Sequence, residues 1–337
     1  MKYIAISVIV PVYGVEKYIE RCVRSLFSQT MTEGVEFIFI NDCTKDRSIE
    51  LLTGIISEYP QLSPLVKIIH HPRNRGLAVA RQTGLDAAQG EYILHLDSDD
   101  YFESDMLEMM YETAMANNSD VVVSDFFWSY KKVDVYQECP LYDIKETLLG
   151  SIIAPWRYGN KTIGPYVWNK LTRKYIYQQH NIHPIEGINY GEDLILTTQI
   201  LYHAAVITKL NRALPHYNQQ NLSSYSHDKS ASTIHQRLMA TDTIAGFLSR
   251  KTSVYEEELD EWRFREKLIA IANCGTDNLH EYISMYPWLN YEKHKYLVPF
   301  YWRIPYKFAL QGKIGMFLFL RNLILPIRKI YRLIYGQ

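Results

Sequence analysis

Residues 92–100 read YILHLDSDD, an apolar run that ends abruptly in three closely spaced carboxylates. The run Tyr92–Leu96 has the length and composition of a buried strand. Asp97, Asp99 and Asp100 crowd its end, and carboxylates placed so close together repel one another. A divalent cation relieves that repulsion, so the stretch predicts a site for Mg²⁺ or Mn²⁺. The alternative left open is a solvated turn that caps the next helix, because Asp and Ser favour both positions.

Similar apolar runs recur through the first 125 residues, separated by amphipathic helical patterns. The predicted strands are Ile4–Val10, Phe37–Ile40, Val66–Ile69, Tyr92–Leu96 and Val121–Val123. Such a succession predicts an α/β fold, with a mostly parallel sheet covered by helices on both faces. Ligands of such sheets bind at the carboxyl ends of the strands. The polar residues expected there are Tyr13, Asn41, Asp42, His70, His71 and the acidic stretch at 97–100.

The pattern loosens after residue 125, which predicts a change of role along the chain. Residues 150–190 are rich in Gly, Pro, Trp and Tyr, as suits a loop-built acceptor surface. Helices are predicted at Gly191–Ala205, Thr233–Arg250 and Glu256–Asn273. We therefore expect a catalytic domain at 1–220, with a nucleotide-binding half at 1–125 and an acceptor half at 126–220. A helical region at 221–298 and a tail at 299–337 follow.

Charge is distributed unevenly over the 337 residues, although the formal net charge is only −1. Residues 293–337 hold nine Lys or Arg and no Asp or Glu, which leaves 27 basic and 37 acidic residues before them, a net charge of −10. An acidic body argues against nucleic acid as a partner. Four widely spaced cysteines, without a metal-binding spacing, favour reduced thiols. The opening residues lack a signal-peptide pattern, and the expected location is cytoplasmic.

The turn after the first predicted strand lacks a glycine-rich phosphate cradle. It reads YGVE at 13–16, which matches neither GxGxxG nor GxxxxGK[ST]. A classical dinucleotide fold and a P-loop are therefore disfavoured. A bound nucleotide would have to be held through a metal and side chains.

Four stretches, taken in order, resemble the motifs of family 2 glycosyltransferases with the GT-A fold. They are ISVIVPVY at 6–13, IND at 40–42, NRG at 74–76 with Ala80-Arg81, and DSDD at 97–100. The downstream stretches VWNKL at 167–171 and GEDL at 191–194 are similar to the acceptor half of bacterial members. The resemblance covers roughly residues 4–215. It implies a GT-A, Rossmann-like sheet followed by a C-terminal helical extension.

The resemblance also implies a role for each matching residue. The nucleotide-sugar side would be formed by Pro11, Val12, Tyr13, Glu16, Asp42, Asn74, Arg75, Gly76, Arg81, Asp97 and Ser98. Asp42 would bind the base, most often uracil, and Asp99 would ligate the metal. Asp193 would be the catalytic base. Glu192, Trp168 and Lys170 would lie near the acceptor.

Two positions depart from the family pattern, and two of the implied roles have simpler explanations. Cys43 and Gln82 stand where Gly and Asn are common, which bears on donor details rather than on the class. Glu192 and Asp193 also suit the first turn of a helix, where acids interact favourably with the helix dipole. Trp168 is equally suited to core packing.

The tail at 299–337 interleaves basic residues with aromatic and aliphatic ones. Arg321, Arg328 and Arg332 fall on one helical face. Such a basic amphipathic helix predicts peripheral contact with the inner membrane face. A helix packed on the catalytic domain is the alternative.

The resulting functional hypothesis is an inverting, metal-dependent glycosyltransferase. It would move a hexose or N-acetylhexosamine from a nucleotide-sugar, expected to be a UDP-sugar, to a glycan or lipid-linked glycan of a surface polysaccharide. The alternatives are a nucleotidyltransferase and a non-catalytic carbohydrate-binding protein. A nucleotidyltransferase would usually show a glycine-rich basic first loop, and the intact carboxylates argue against a decayed site.

Overall fold

The structure, a computed structural model, describes residues 3–221, 224, 228 and 230–335, with side chains as far as Ile324. It divides into two compact units, Met1–Asp228 and Lys229–Gln337. The first unit carries the sheet, and the second is helical. The predicted tail cations Arg328, Lys329 and Arg332 lie outside the described side chains.

Within the described residues, nine strands form one mixed sheet in the first unit. They are β1 Ile6–Val12, β2 Val35–Asn41, β3 Val66–His70, β4 Tyr92–His95, β5 Tyr101–Phe102, β6 Val121–Ser129, β7 Asp134–Gln137, β8 Lys170–Arg173 and β9 Ile207–Asn218. The order is β3-β2-β1-β4-β8-β6-β9-β5, and β7 pairs with β6. Strands β1 to β4 pair in parallel, and β6 pairs in parallel with β9. Strand β8 runs antiparallel between β4 and β6. The parallel pairing of β1 to β4, and of β6 with β9, confirms the mostly parallel sheet predicted from the sequence.

Strand β1 continues through Pro11, where the sequence predicts its end. The carbonyl of Val12 accepts from the Asp42 amide on the β2 side, and that of Ile9 accepts from Leu96 on the β4 side. The backbone N–H and C=O groups of successive strand residues point to opposite sides, so those of Pro11 face β4. The last residue of β4 that pairs with β1 is His95, and it pairs with Ile9. Pro11 thus lies where no ladder partner needs the N–H that proline lacks.

Seven helices accompany the sheet, and six form most of the second unit. Those of the first unit are α1 Ile19–Phe27, α2 Ser48–Glu58, α3 Leu77–Ala87, α4 Met106–Asn117, α5 Lys145–Ile153, α6 Lys174–Gln179 and α7 Glu192–His203. Those of the second are α8 Ala231–Ser249, α9 Glu256–Asn273, α10 Thr276–Ser284, α11 Tyr291–His294, α12 Arg303–Leu310 and α13 Ile314–Tyr335. Short 3₁₀ turns span Ser63–Leu65, Pro155–Tyr158, Lys295–Leu297 and Phe300–Trp302. These counts refer to the part of the chain that the structure describes.

The parallel half of the sheet is buried on both faces. Val8 and Val10 of β1 share a core with Leu26 of α1 and Met110 of α4. On the opposite face α3 approaches β1 so closely that a Cβ on Gly84 would stand 2.3 Å from Ile9 Cγ2. Apolar side chains on both faces explain why β1 reads as a continuous hydrophobic run.

The second unit has its own core, to which part of the predicted tail belongs. Trp302, Tyr306 and Phe317 are buried with side chains of α8, α9 and α10. Other tail residues are exposed, including Phe300 at 79% and Ile304 at 64%. Among the described residues, no helix combines the length and apolarity needed to cross a bilayer.

Candidate active site

The acidic stretch at 97–100 forms a tight turn at the carboxyl end of β4. The Asp100 amide donates to the Asp97 carbonyl oxygen at 2.9 Å. Asp100 is 2% exposed, and its Oδ1 accepts from the Asn218 amide at 2.7 Å. Asp99 Oδ2 accepts from Asn221 Nδ2 at 2.8 Å. The last residue of β9 and Asn221 just after the strand therefore hold two of the three carboxylates in place.

The electrostatics of this turn fit a bound cation. Burial, reinforced by the charge of Asp97, raises the pKa of Asp99 to about 6. Burial and then Asp99 raise the pKa of Asp100, whose Oδ2 is buried without a hydrogen-bond partner among the described residues. Among all the residues that the structure describes, no three Asp, Glu, His or Cys side chains lie close enough together to hold a metal by themselves. The arrangement suits Mg²⁺ or Mn²⁺, which protein sites usually hold through one or two carboxylates together with substrate phosphates.

Arg81 of α3 joins the acidic turn to the start of α7. Its side chain is 1% exposed, and its Nη2 lies 2.6 Å from Asp97 Oδ1. Its Nε lies 3.3 Å from Glu192 Oε1. One buried guanidinium therefore bridges the two acidic groups that the sequence places in separate halves of the domain.

Glu192 and Asp193 differ in what their carboxylates contact. Glu192 is 4% exposed and is held by Arg81, whereas Asp193 is partly exposed and its Oδ1 accepts from the Leu194 amide at 2.7 Å. Burial raises the pKa of both carboxyls, and Arg81 opposes the rise in each. Asp193 is thus the more exposed residue of the pair. A raised pKa suits a group that must take up a proton near neutral pH.

The predicted nucleotide side is organised around Asp42 at the end of β2. Its carboxylate accepts from the amides of Arg75 and Gly76, each at 2.8 Å, and lies 2.7 Å from His71 Nδ1. Asp42 is only 3% exposed, and its two hydrogen bonds to backbone amides hold the turn at 74–76 in position. Its predicted contact with a nucleotide base stays a prediction.

Gly76 brings this turn against the loop that precedes α7. Its φ is +87°, and a Cβ there would stand 2.4 Å from Asn189 Oδ1. The same oxygen accepts from the Ala78 amide at the start of α3, at 3.1 Å. Asn189, which the sequence patterns do not single out, therefore ties the two predicted halves of the domain together.

The remaining predicted nucleotide residues have different exposures. Pro11 and Val12 are buried in β1, whereas Tyr13 just beyond them is 52% exposed. Glu16 Oε2 accepts from the Arg47 amide at the start of α2, at 3.1 Å. Of the others, Ser98 is buried in the acidic turn, and Asn74 and Arg75 are exposed.

The structure does not place Trp168 and Lys170 where an acceptor or phosphate could touch them. Trp168 is 3% exposed, with its ring stacked on that of Tyr166 at 4.7 Å. Lys170 is 2% exposed, and its ammonium donates to carbonyl oxygens of Tyr166 and Gly164 at 2.7 and 3.1 Å. Trp168 therefore takes the core-packing alternative. The prediction that Lys170 meets a ligand is corrected, because neighbouring carbonyl groups already surround its charge.

Several residues that border the site are not predicted by the sequence patterns. Asn218 and Asn221 hold the acidic turn, and Trp128 and Tyr217 lie in an aromatic cluster with Tyr166. The sequence feature that could have indicated these residues is the polar end of the run at 207–218, which marks the end of a strand. The loosened pattern after residue 125 conceals that signal.

Comparisons with known proteins agree with this geometry. The family model described as glycosyl transferase family 2 matches residues 7–181, just over half of the chain. EpsH of Bacillus subtilis (strain 168), which is named as a glycosyltransferase, is 30% identical over 282 residues, covering 80% of this chain and 77% of EpsH.

Two solved structures share the fold. S. aureus TarS 1–349 in complex with UDP-GlcNAc aligns with a TM-score of 0.67 at 19% identity, covering 95% of this chain and 91% of that one. The mannosyltransferase PcManGT from Pyrobaculum calidifontis, in complex with GDP-Man and Mn²⁺, aligns with a TM-score of 0.53 at 12% identity, covering 95% and 86%. The family match and the relative of 30% identity, on a shared GT-A-like fold, show that this chain belongs to glycosyl transferase family 2 and is a glycosyltransferase.

Proposed function

We propose that this glycosyltransferase is an inverting, divalent-cation-dependent enzyme that transfers a hexose or N-acetylhexosamine from a UDP-sugar to a glycan or lipid-linked glycan. The observation that carries the proposal is the Arg81 bridge, with Asp97 at 2.6 Å and Glu192 at 3.3 Å. An inverting transfer needs a leaving-group site and a base that face the same anomeric carbon. The bridge supports this, because Asp97 belongs to the acidic turn and Glu192 adjoins Asp193.

In the proposed reaction Asp193 accepts the proton of the acceptor hydroxyl. The hydroxyl oxygen forms a bond to the anomeric carbon while the bond from that carbon to the diphosphate breaks. Attack from the side opposite the diphosphate inverts the configuration. Asp193 is assigned this role because it is partly exposed, whereas Glu192 is buried against Arg81.

Asp99 would hold the divalent cation, with Asp97 and Asp100 beside it. When bound, such a cation neutralises the charge that grows on a departing diphosphate. The raised pKa of Asp99 supports this assignment, since a carboxylate crowded by like charges gains most from a cation. The Mn²⁺ in the PcManGT structure is further support of the same kind.

The donor side combines Tyr13 with the turn that Asp42 holds. UDP is preferred in the proposal because TarS, of similar fold, has been solved with UDP-GlcNAc. The exposed Tyr13 ring offers a face on which a base can stack.

The acceptor is proposed to be a growing surface polysaccharide at the cytoplasmic membrane face. Exposed Phe300, Ile304 and Phe319 support peripheral contact with the membrane. The lack of acidic residues in the sequence from 293 to 337 adds favourable charge for anionic lipids.

Calorimetric titration of UDP, GDP and ADP, each with and without Mn²⁺, tests the donor assignment. We expect UDP to bind most tightly, and Mn²⁺ to strengthen its binding. Hydrolysis of a panel of UDP-sugars then identifies the sugar. If none of the three nucleotides binds under either condition, the proposed function is wrong; if GDP binds best, only the choice of UDP is wrong.

A further inference from the structure

Three aromatic side chains of the first unit lie together and are only partly buried. Trp128 of β6 and Tyr217 of β9 are paired in register, and their ring centroids are 5.3 Å apart. Tyr166, in the loop before β8, lies 6.0 Å from Tyr217 with the rings tilted by 49°, and 6.5 Å from Trp128 with the rings nearly perpendicular. The three rings are therefore inclined to one another and do not form one flat face. We call Trp128, Tyr166 and Tyr217 the aromatic platform. Their neighbour Trp168 is buried behind Tyr166, so a ligand can contact the rings of the platform but not that of Trp168.

The platform borders the candidate base on one side. Thr197, one helical turn after Asp193 in α7, donates through its Oγ1 to the Pro165 carbonyl oxygen at 2.7 Å. This bond fixes the residue next to Tyr166 against the helix that carries Asp193. Burial, Tyr217 and then the charge of Asp193 raise the pKa of Tyr166, in agreement with that proximity.

The platform borders the acidic turn on its other side. Tyr217 directly precedes Asn218, whose amide donates to Asp100 Oδ1 at 2.7 Å. The strand that positions Tyr217 therefore also holds the turn that would carry the cation. A ligand on the platform would lie next to both groups that the proposed reaction needs.

Hydrogen bonds and close packing position the rings of Tyr166 and Trp128. The Lys170 ammonium donates to the Tyr166 carbonyl oxygen at 2.7 Å and to Asn169 Oδ1 at 2.9 Å. Gly164 has a φ of +76°, and a Cβ there would stand 2.8 Å from Tyr166 Cδ2. The Trp128 indole N–H donates to Gln137 Oε1 at 3.1 Å. Burial of the Lys170 charge is thus offset by hydrogen bonds that fix the Tyr166 loop.

We propose that the aromatic platform is the acceptor subsite, and that it takes a pyranose ring by stacking. The inference rests on the proposed function and adds the chemical class of the acceptor's terminal unit. A pyranose presents an apolar C–H face, which packs on aromatic rings, and directs its hydroxyl groups outward. A pyranose packed against one of these rings would lie on the same side of the domain as Asp193, since Thr197 of α7 is hydrogen bonded to the residue before Tyr166. The platform lies beside the proposed base Asp193 and not beside the turn at 74–76, so we assign it to the acceptor and not to the nucleotide.

Saturation-transfer NMR on the full chain with UDP and Mn²⁺ tests the proposal. The probes are methyl β-D-glucopyranoside and methyl β-D-galactopyranoside, with ribitol as an acyclic polyol that has no ring face. We expect saturation of the ring C–H protons of at least one pyranoside and little saturation of ribitol. This comparison uses the unaltered chain and does not depend on how any variant folds.

Variants locate the signal. Tyr217→Leu and Trp128→Leu should weaken the pyranoside signal by about threefold to tenfold, the loss expected for one aromatic contact. Tyr217→Phe keeps the ring and should retain it. Tyr130→Leu is the matched control, because Tyr130 follows β6 and is 49% exposed outside the platform.

Several outcomes overturn the proposal: no pyranoside signal, an equal signal from ribitol, or unchanged signals in both Leu variants. UDP titration of the same samples distinguishes failure of the platform proposal from failure of the proposed function. Binding of UDP without any pyranoside signal contradicts the platform alone, whereas failure of all nucleotides to bind contradicts the proposed function itself.

Discussion

Arg81 Nη2 lies 2.6 Å from Asp97 Oδ1 although the two residues are carried by different elements, α3 and the turn after β4. The guanidinium is buried and also reaches Glu192. Its replacement therefore leaves at least one buried carboxylate unpaired, which is among the costliest changes a protein interior can undergo.

Arg81→Met is expected to lower the free energy of unfolding by about 3–5 kcal/mol at pH 8. The unpaired Glu192 would then have a folded-state pKa raised still further above its unfolded value. A carboxyl group whose pKa is raised by folding destabilises the fold at pH values above its unfolded-state pKa. The decrease in the free energy of unfolding should therefore become smaller as the pH falls towards 5. Urea unfolding curves at the two pH values measure the change.

Arg47→Met serves as the control, because the Arg47–Glu50 pair is exposed on α2 and should matter little at either pH. Equal stability of Arg81→Met and the unaltered chain at pH 8 would show that the bridge is not structurally important.

Asp193→Asn should slow transfer by about 10²- to 10⁴-fold, because the acceptor hydroxyl loses its base. Binding of UDP should stay within about twofold, since the proposed reaction places Asp193 on the acceptor side. The rate is measured as turnover with the sugar donor found by hydrolysis screening, and the affinity by calorimetry. Near-normal turnover in this variant would rule out Asp193 as the base.

Asp99→Asn should weaken binding of Mn²⁺ and, with it, the Mn²⁺-dependent part of UDP binding. The substitution keeps the shape and removes the charge that the cation would neutralise. Electron paramagnetic resonance of free Mn²⁺ gives the metal affinity without any turnover. Asp277→Asn is a suitable control, because Asp277 is exposed in the first turn of α10 in the second unit. A metal affinity that does not change in Asp99→Asn contradicts the assignment.

The pH dependence of transfer should have an acidic limb set by Asp193. Burial raises the pKa of Asp193 above its usual value of 3.8. Because the base must be deprotonated, a raised pKa moves the loss of activity to higher pH. We therefore expect kcat/KM to fall as the pH is lowered, with a midpoint clearly above 3.8. A flat profile between pH 8 and pH 4 would be incompatible with this role.

The triple variant Phe300→Ser, Ile304→Ser and Phe319→Ser should reduce sedimentation with vesicles that contain phosphatidylglycerol. These side chains are exposed at 79%, 64% and 61%, so their replacement should not disturb the core of the second unit. Val254→Ser, at a residue 58% exposed in the same unit, is the matched control. Binding should also weaken with salt, since basic residues supply about 1 kcal/mol each near an anionic surface. If the triple variant sediments like the unaltered chain, the membrane proposal fails.

Much of the site is predictable because strand ends can be recognised locally. The change from apolar to polar residues along the chain marks Asp42 and Asp97, and a parallel sheet gathers such ends at one edge. The start of α7 at Glu192 is visible in the same way, from acids next to a helical pattern.

The correction of Lys170 and the core-packing alternative taken by Trp168 both concern side chains whose surroundings are set by distant residues. Trp168 and Tyr166 are two aromatics in one short segment, and nothing in their spacing says which is buried. Both pack edge-on against Phe126, and only the tertiary structure shows that Trp168 is the one buried, at 3% exposure. Lys170 resembles a ligand-binding cation in the sequence because its acceptors are backbone carbonyl groups, which leave no trace in residue identities.

By itself, the sequence determined the α/β fold, the positions of the acidic turn and of Asp193, and the family, since all of these follow from local patterns and ordered motifs. The tertiary structure alone decided which groups meet. Arg81 reaches across 16 residues to Asp97 and across 111 to Glu192, and no local pattern encodes either contact. The physical reason is that α3 packs against the sheet with Arg81 within 2.6 Å of Asp97 and 3.3 Å of Glu192, so one buried guanidinium pairs with both carboxylates.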